Sequence, residues 1–211
     1  AFNLMELDYN GVGNHEFDEG VDELLRMQHG GCHPVDGCQD APGDPDGFSG
    51  ATFDFLAANV KYKDSGETIF PPYRVHNFRG GHKVAFVGMT LEGTDLIVSP
   101  DGIADIQFLD EAASVNALVP VLKAQGVEAI VVLLHEGGSV PASGNGAGNV
   151  DAINKCDGAT GPIPEMVPNF DDEIDIVITG HTNWAVNCLI DGKVVTGAAS
   201  QGRLVTDIDA T

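Results

Sequence analysis

The amino-acid sequence predicts a layered α/β (α+β) domain, and three observations carry that expectation. Two apolar runs with the composition of buried strands, "EAIVVLLH" and "EIDIVITGH", each end in histidine. Amphipathic stretches with helical spacing alternate with such runs, and no internal repeat is present. A single domain spanning 1–211, with an insertion loop at 29–50, accounts for the whole chain.

The elements follow in order. "AFNLMELDYNGV" reads as a helix-to-strand approach, and from Asp18 to about Gln28 the residues Val21, Leu24, Leu25 and Met27 keep helical spacing, with Glu19, Asp22 and Glu23 acidic in the early turns. Residues 29–50 are rich in Gly, Pro and Asp, after which "ATFDFLAANV" returns to strand composition. "YRVHNF" and "HKVAFVGMT" flank "RGG" as a hairpin. Leu109, Ala112, Ala113, Leu118 and Leu122 mark an amphipathic helix over 109–125 that Pro120 is expected to kink. "EAIVVLLH" is followed by a Gly/Ser/Asn loop at 136–149 and a Pro-punctuated connection at 151–173 with one short helix. After "EIDIVITGH", the segments "WAVNCLI", "VVTGAAS" and "GRLVTDID" read as a meander of strands.

Composition narrows the function. Ten Lys and Arg against 32 Asp and Glu give a formal net charge of −22, a field that repels phosphate backbones and anionic lipid, so nucleic acid is not an expected partner. Mean hydropathy is +0.00, and no apolar run approaches the roughly 18 residues of a membrane span. A small phosphorylated substrate needs local positive charge in such a chain, which a bound divalent cation supplies. The four cysteines form no C-x-x-C pair. Cys32 and Cys38 bracket the short loop "CHPVDGC" and are expected to pair, as are Cys156 and Cys188, with buried free thiols the alternative. Disulfides imply an exported protein; the chain opens on Ala1 with no signal-like segment, the start expected of a processed or trimmed product or a fragment.

Three polar clusters sit at glycine turns beside core elements: Gly13-Asn14-His15-Glu16, His135-Glu136-Gly137-Gly138 and Gly180-His181-Thr182-Asn183. Loops at the carboxyl ends of strands line the ligand crevice of layered α/β folds, so these clusters are expected to converge on one crevice. Neutral imidazole and amide oxygen suit divalent metals, and glycine lets backbone approach closely. The structural alternatives are a cap or turn amide at Asn14 and a helix N-cap at Asp18, the latter compatible with a second role. Glu16, Thr182 and Trp184 read as structural, Arg203 as a surface strand residue, and Asp40, Asp44 and Asp46 as a solvated acidic loop without EF-hand spacing. His29, His33, His76 and His82 lack a comparable setting.

"GNHEFD", "LLHEGG" and "TGHTN", in this order, resemble the 5'-nucleotidase branch of the calcineurin-like metallophosphoesterases, which also includes 2',3'-cyclic nucleotide phosphodiesterases. "LAANV", "GHKVAFVGMT", "LKAQGVEAIVVLLHEGG" and "IDIVITGHTN" extend the similarity through nearly the whole chain. The resemblance implies a β-sandwich flanked by helices and a two-metal hydrolase of nucleotides or related phosphate monoesters, with zinc or manganese as the divalent metal. It implies that Asn14, His135 and His181 ligate one metal and Asn183 the other, while His15 acts on the phosphate and Asp18 orients it. The family's Asp-x-His and Gly-Asp motifs would precede "GNHE", and only Ala1 to Val12 stand before it, so a partial catalytic domain holding at most one metal is expected. Another chain supplying the missing segment is a further reading, and a non-catalytic remnant that keeps the fold is the alternative function.

Overall fold

The computed structural model describes residues 1–38, 47–140, 153–154, 156 and 158–209. Its centre is a six-stranded mixed sheet built from β4 (Tyr73–Asn77), β5 (Lys83–Thr90), β7 (Ala129–His135), β8 (Ile176–Thr179), β9 (Ala185–Ile190) and β10 (Lys193–Ala198). The spatial order is β4-β5-β7-β8-β10-β9. The four inner strands run parallel, with β4 and β9 added antiparallel at the edges. Two small ladders form a second layer: β1 (Tyr9–Gly11) pairs in parallel with β2 (Asp54–Leu56), and β3 (Val60–Tyr62) pairs antiparallel with β6 (Ile106–Phe108).

β5 and β7 are apolar runs because both of their faces are covered, one of them by the β1-β2 ladder. One core lies on the side of α2 (Glu111–Ala124) and joins Val115, Val119 and Leu122 to Val87, Met89, Val132 and Leu134. The other surrounds α1 (Val21–His29) and the small ladders, with Val12, Phe17, Leu24, Phe55 and Phe70. Glycines let the layers close: a Cβ on Gly11 would strike Leu133, and one on Gly88 would strike Leu56.

The expected "RGG" hairpin is β4-β5, and "DGK" closes β9-β10 with Asp191 and Gly192 at positive φ, as a two-residue hairpin turn requires. Asp110 caps α2 by accepting the N–H of Ala113 at 2.6 Å, and the helix continues through Pro120. A short α3 (Pro162–Met166) lies in the Pro-rich connection. The strand composition of 51–60 divides into β2 and β3. The segment 203–209 is not a strand: β10 is already paired on both edges, by β8 and β9, leaving no edge for a continuing meander. Arg203 instead bonds the carbonyl and hydroxyl of Ser200. Asp40, Asp44 and Asp46 lie outside the described residues. Both expected disulfides are present, Cys32–Cys38 and Cys156–Cys188, with Cα separations of 4.3 and 5.8 Å. Among the described residues no helix is long and apolar enough to cross a membrane.

Candidate metal centre

The parallel register brings the carboxyl ends of the inner strands to one rim. Thr90 at the end of β5 lies beside His135 at the end of β7, and β8 ends at Thr179, two residues before His181. Asn14 arrives from the second layer, and a buried relay fixes its approach. The fully buried side chain of Asn59 donates to the carbonyls of Thr90 (2.6 Å) and Leu109 (2.8 Å) and accepts the N–H of Thr90 at 2.9 Å. The Thr90 hydroxyl then donates to the carbonyl of Val12 at 2.8 Å. Two residues on, the buried Asn14 places its Oδ1 at 2.9 Å from His135 Nε2 and 3.1 Å from His181 Nδ1.

An amide oxygen only accepts, so in the cation-free protein both imidazoles turn N–H groups toward it. The two rings meet edge to face with centroids 5.3 Å apart. Burial, helped by the charges of His181 and His15, lowers the His135 pKa to about 4, so this imidazole is neutral at neutral pH. Three donor atoms, one amide oxygen and two imidazole nitrogens, thus converge from three separate elements. That donor set fits a borderline divalent cation, with water completing the shell. Among the described residues there is no group of three or more His, Cys, Asp or Glu that could hold a metal; the cluster is two imidazoles and an amide. Asn183 is exposed, with φ 56°, on the same turn as His181.

His181 is the apex of a three-residue turn closed by the Thr182 N–H to the Gly180 carbonyl at 2.7 Å, with φ 54°. Such a conformation in a non-glycine residue costs about 1–3 kcal/mol and persists only where its surroundings enforce it. His15 and Asp18 stand beside the cluster on a short 3-10 turn, with His15 Nδ1 2.8 Å from Asp18 Oδ2 and side-chain exposures of 80% and 51%. Asp18 is not the N-cap of α1. Gly20 holds that position, because the 3-10 turn consumes the residues before it. Asn14 begins the 3-10 turn but makes no side-chain cap bond, its amide being spent on the histidines.

Two residues that read as structural in the sequence shape this centre. Glu16 Oε2 accepts the Gly13 N–H at 2.8 Å, and the Thr182 hydroxyl bonds the backbone of Gly138. Asn59 shapes it as well, and the signal for it in the sequence is an Asn at the edge of an apolar run ("LAANV"), where a buried amide needs partners. Gly13 carries its own constraint: a Cβ there would lie 2.6 Å from Cε1 and Nδ1 of His135. Gly13→Ala is therefore expected to displace the imidazole and weaken manganese(II) binding by at least about tenfold, an effect of the size seen when the support of a metal ligand is lost. Isothermal titration of parent and variant measures this, and equal affinities would contradict the packing argument.

A cavity of about 1020 Å³ opens between the layers next to His15 and His135, walled by Tyr9, Gly11, Phe53 and Leu133.

No family model matches the chain. It is 37% identical over 209 residues to the Endonuclease YhcR of Bacillus subtilis, a match covering 98% of this chain and 15% of that protein. It is 30% identical to the Cell wall protein Lmo0130 of Listeria monocytogenes, over 97% of this chain and 26% of the relative. A 5'-nucleotidase of Vibrio parahaemolyticus is 25% identical across 89% of the chain, with 28% of its own length matched. The chain is thus similar to proteins of the 5'-nucleotidase branch of the metallophosphoesterases. Solved structures agree on the fold of this branch. The calcineurin-like phosphoesterase YfkN from Bacillus subtilis superposes with a TM-score of 0.65 at 22% identity, over 94% of this chain and 56% of that one. A putative 5'-nucleotidase from Staphylococcus aureus gives 0.65 at 21%, over 94% and 33%. The chain thus spans between 15% and 28% of the length of these curated relatives.

Proposed function

We propose that this chain forms the cation-holding face of a metal-dependent phosphoesterase of 5'-nucleotidase type, acting on nucleotides or related phosphate monoesters. The observation that carries the reading is the Asn14 oxygen between the nitrogens of His135 and His181, with an exposed His15–Asp18 pair alongside. Asn14, His135 and His181 would hold one divalent cation, zinc or manganese, and Asn183 offers a donor toward a second. A cation bound there supplies Lewis-acid charge for phosphoryl oxygens and lowers the pKa of bound water. Asp18 fixes the His15 ring through Nδ1, leaving Nε2 directed outward, where it donates to a phosphoryl or leaving-group oxygen when the ring carries both protons. With a net charge of −22, the chain depends on this local donor and cation to attract phosphate at all.

The same charge disfavours a nucleic-acid substrate. YhcR is named an endonuclease, but the matched 15% is a small part of that protein. Two disulfides support an oxidising location, extracellular, periplasmic or at the cell surface. Full two-cation turnover calls for carboxylate donors that no described residue brings to the cluster. The cavity beside His135 has room for an extended segment carrying them, from more of the same polypeptide or from another chain.

Elemental analysis after dialysis, with nitrophenyl phosphate and nucleoside monophosphate assays before and after adding zinc or manganese, tests the reading. One cation per chain and weak, cation-dependent hydrolysis of monoesters are expected from these residues alone. Two tightly held cations with vigorous turnover would overturn the one-cation assignment. Cation binding without hydrolysis in any longer form of the protein would favour a non-catalytic role.

A further inference from the structure

The end of β7 and the turn after β8 carry one histidine each, and the structure joins these two segments at two points. The Gly180 N–H donates to the carbonyl of Glu136 at 3.1 Å. The second junction is Thr182. Its hydroxyl donates to the carbonyl of Gly138 at 2.7 Å and accepts the N–H of the same residue at 3.1 Å. One hydroxyl therefore satisfies both backbone groups of one residue, 44 positions away in sequence. The fit is steric as well as polar. A Cβ on Gly137 would run into the Oγ1, Cγ2 and Cβ of Thr182, so the side chain seats in a notch that only glycine leaves open.

This notch lies one residue from two unfavourable backbones. His181 and Asn183, on either side of Thr182, both have left-handed φ, 54° and 56°. The Thr182 N–H closes the turn around His181, and the hydroxyl ties that turn to the strand end carrying His135.

We propose that Thr182 is a positioning residue of the cation centre. Its hydroxyl clamps the His181 turn to Gly138, which fixes the distance between the His135 and His181 imidazoles and holds His181 with Nδ1 toward Asn14. Thr182 touches neither cation nor substrate; it acts through the two turns. The inference deepens the proposed function, resting on the reading of Asn14, His135 and His181 as cation ligands.

The test compares Thr182→Val, which keeps the shape and removes the hydroxyl, with Thr182→Ser, which keeps the hydroxyl and removes a methyl. Manganese(II) affinity is read by electron paramagnetic resonance titration, and the melting temperature is read separately in chelator. Thr182→Val is expected to weaken manganese(II) binding by about 10- to 100-fold, as loss of outer support for metal ligands does, with Thr182→Ser within about twofold of the parent. Valine binding manganese(II) like the parent overturns the proposal, as does serine weakening it as much as valine.

A second readout needs no cation. Nitrogen-15 imidazole spectra of the cation-free protein report the ring tautomers, and the clamp predicts the Nδ1–H form of His181 in parent and Thr182→Ser and a tautomer mixture in Thr182→Val. An unchanged Nδ1–H form in the valine variant overturns the clamp. If the parent binds no manganese(II) while the tautomers respond as predicted, the cation reading fails and the clamp stands. Should Thr182→Val not fold, Thr182→Ser and Thr182→Ala carry the same comparison, and alanine matching serine in affinity or tautomer overturns the proposal.

Discussion

Replacing His15 with asparagine is expected to lower turnover of a phosphate monoester by about 10²- to 10⁴-fold, the usual contribution of a positioned proton donor or acceptor. Cation affinity is expected to stay within about twofold. The two expectations separate because His15 is outside the donor cluster: its ring bonds Asp18, whereas the Asn14 side chain bonds His135 and His181. Its 80% exposure suits a group that meets substrate rather than one that holds structure. Asp18→Asn gives an intermediate result, since an amide bonds the ring through either its oxygen or its N–H and so stops selecting one tautomer. The measurement is kcat on nitrophenyl phosphate at saturating manganese(II), in the longest form of the protein that turns over, alongside titration of the cation. Loss of cation binding together with kcat would place His15 among the ligands instead. A parent-like kcat in His15→Asn would remove it from the chemistry.

The part of this site that the sequence made legible is the part written locally. A run of β-branched and aliphatic residues ending in His-Glu-Gly-Gly or Gly-His-Thr-Asn declares both a buried strand and the loop at its carboxyl end, and the parallel order of β5, β7 and β8 then brings those loops together. Asn14 joins them because its turn follows a strand of the second layer. What stayed hidden depends on partners distant in the chain. Asn59 reaches Thr90 31 residues away, Thr90 reaches Val12 78 residues away, and Thr182 reaches Gly138 44 residues away. No periodicity encodes such pairs, because a hydroxyl or amide in a loop reads the same whether it meets water or a buried carbonyl. Asp18 is the reverse case, in which only the structural alternative of an N-cap falls away. Its side chain is a good N-cap by type, but the 3-10 turn moved the helix start to Gly20 and released the carboxylate for His15. The segment 203–209 has strand composition, and only the completed sheet shows that no edge of β10 remains for it.

Trp184→Ala is expected to cost about 3–5 kcal/mol of unfolding free energy, the range for removing a large buried aromatic side chain. Trp184 is 1% exposed, and its indole N–H donates to the Thr179 hydroxyl at 2.6 Å, which in turn donates to the Thr196 carbonyl at 3.2 Å. Its ring lies so close to Gly138 and Gly197 that a Cβ on either would sit 2.9 or 3.1 Å from it. The side chain therefore packs against both the turn after β7 and strand β10, directly after the left-handed Asn183. Truncation to alanine leaves a cavity lined by two glycines, which have no side chains to move in. Trp184→Phe keeps most of the packing and loses the hydrogen bond, for an expected cost of about 1–2 kcal/mol. Urea denaturation of the three proteins by circular dichroism ranks them parent, phenylalanine, alanine. Because the chain has one tryptophan, its emission in the parent reports on this turn alone, and paramagnetic manganese(II) bound nearby is expected to quench it. Equal stability of alanine variant and parent would show that the neighbouring elements close the space. Unquenched emission with manganese(II) demonstrably bound would place the cation away from the turn that Trp184 supports.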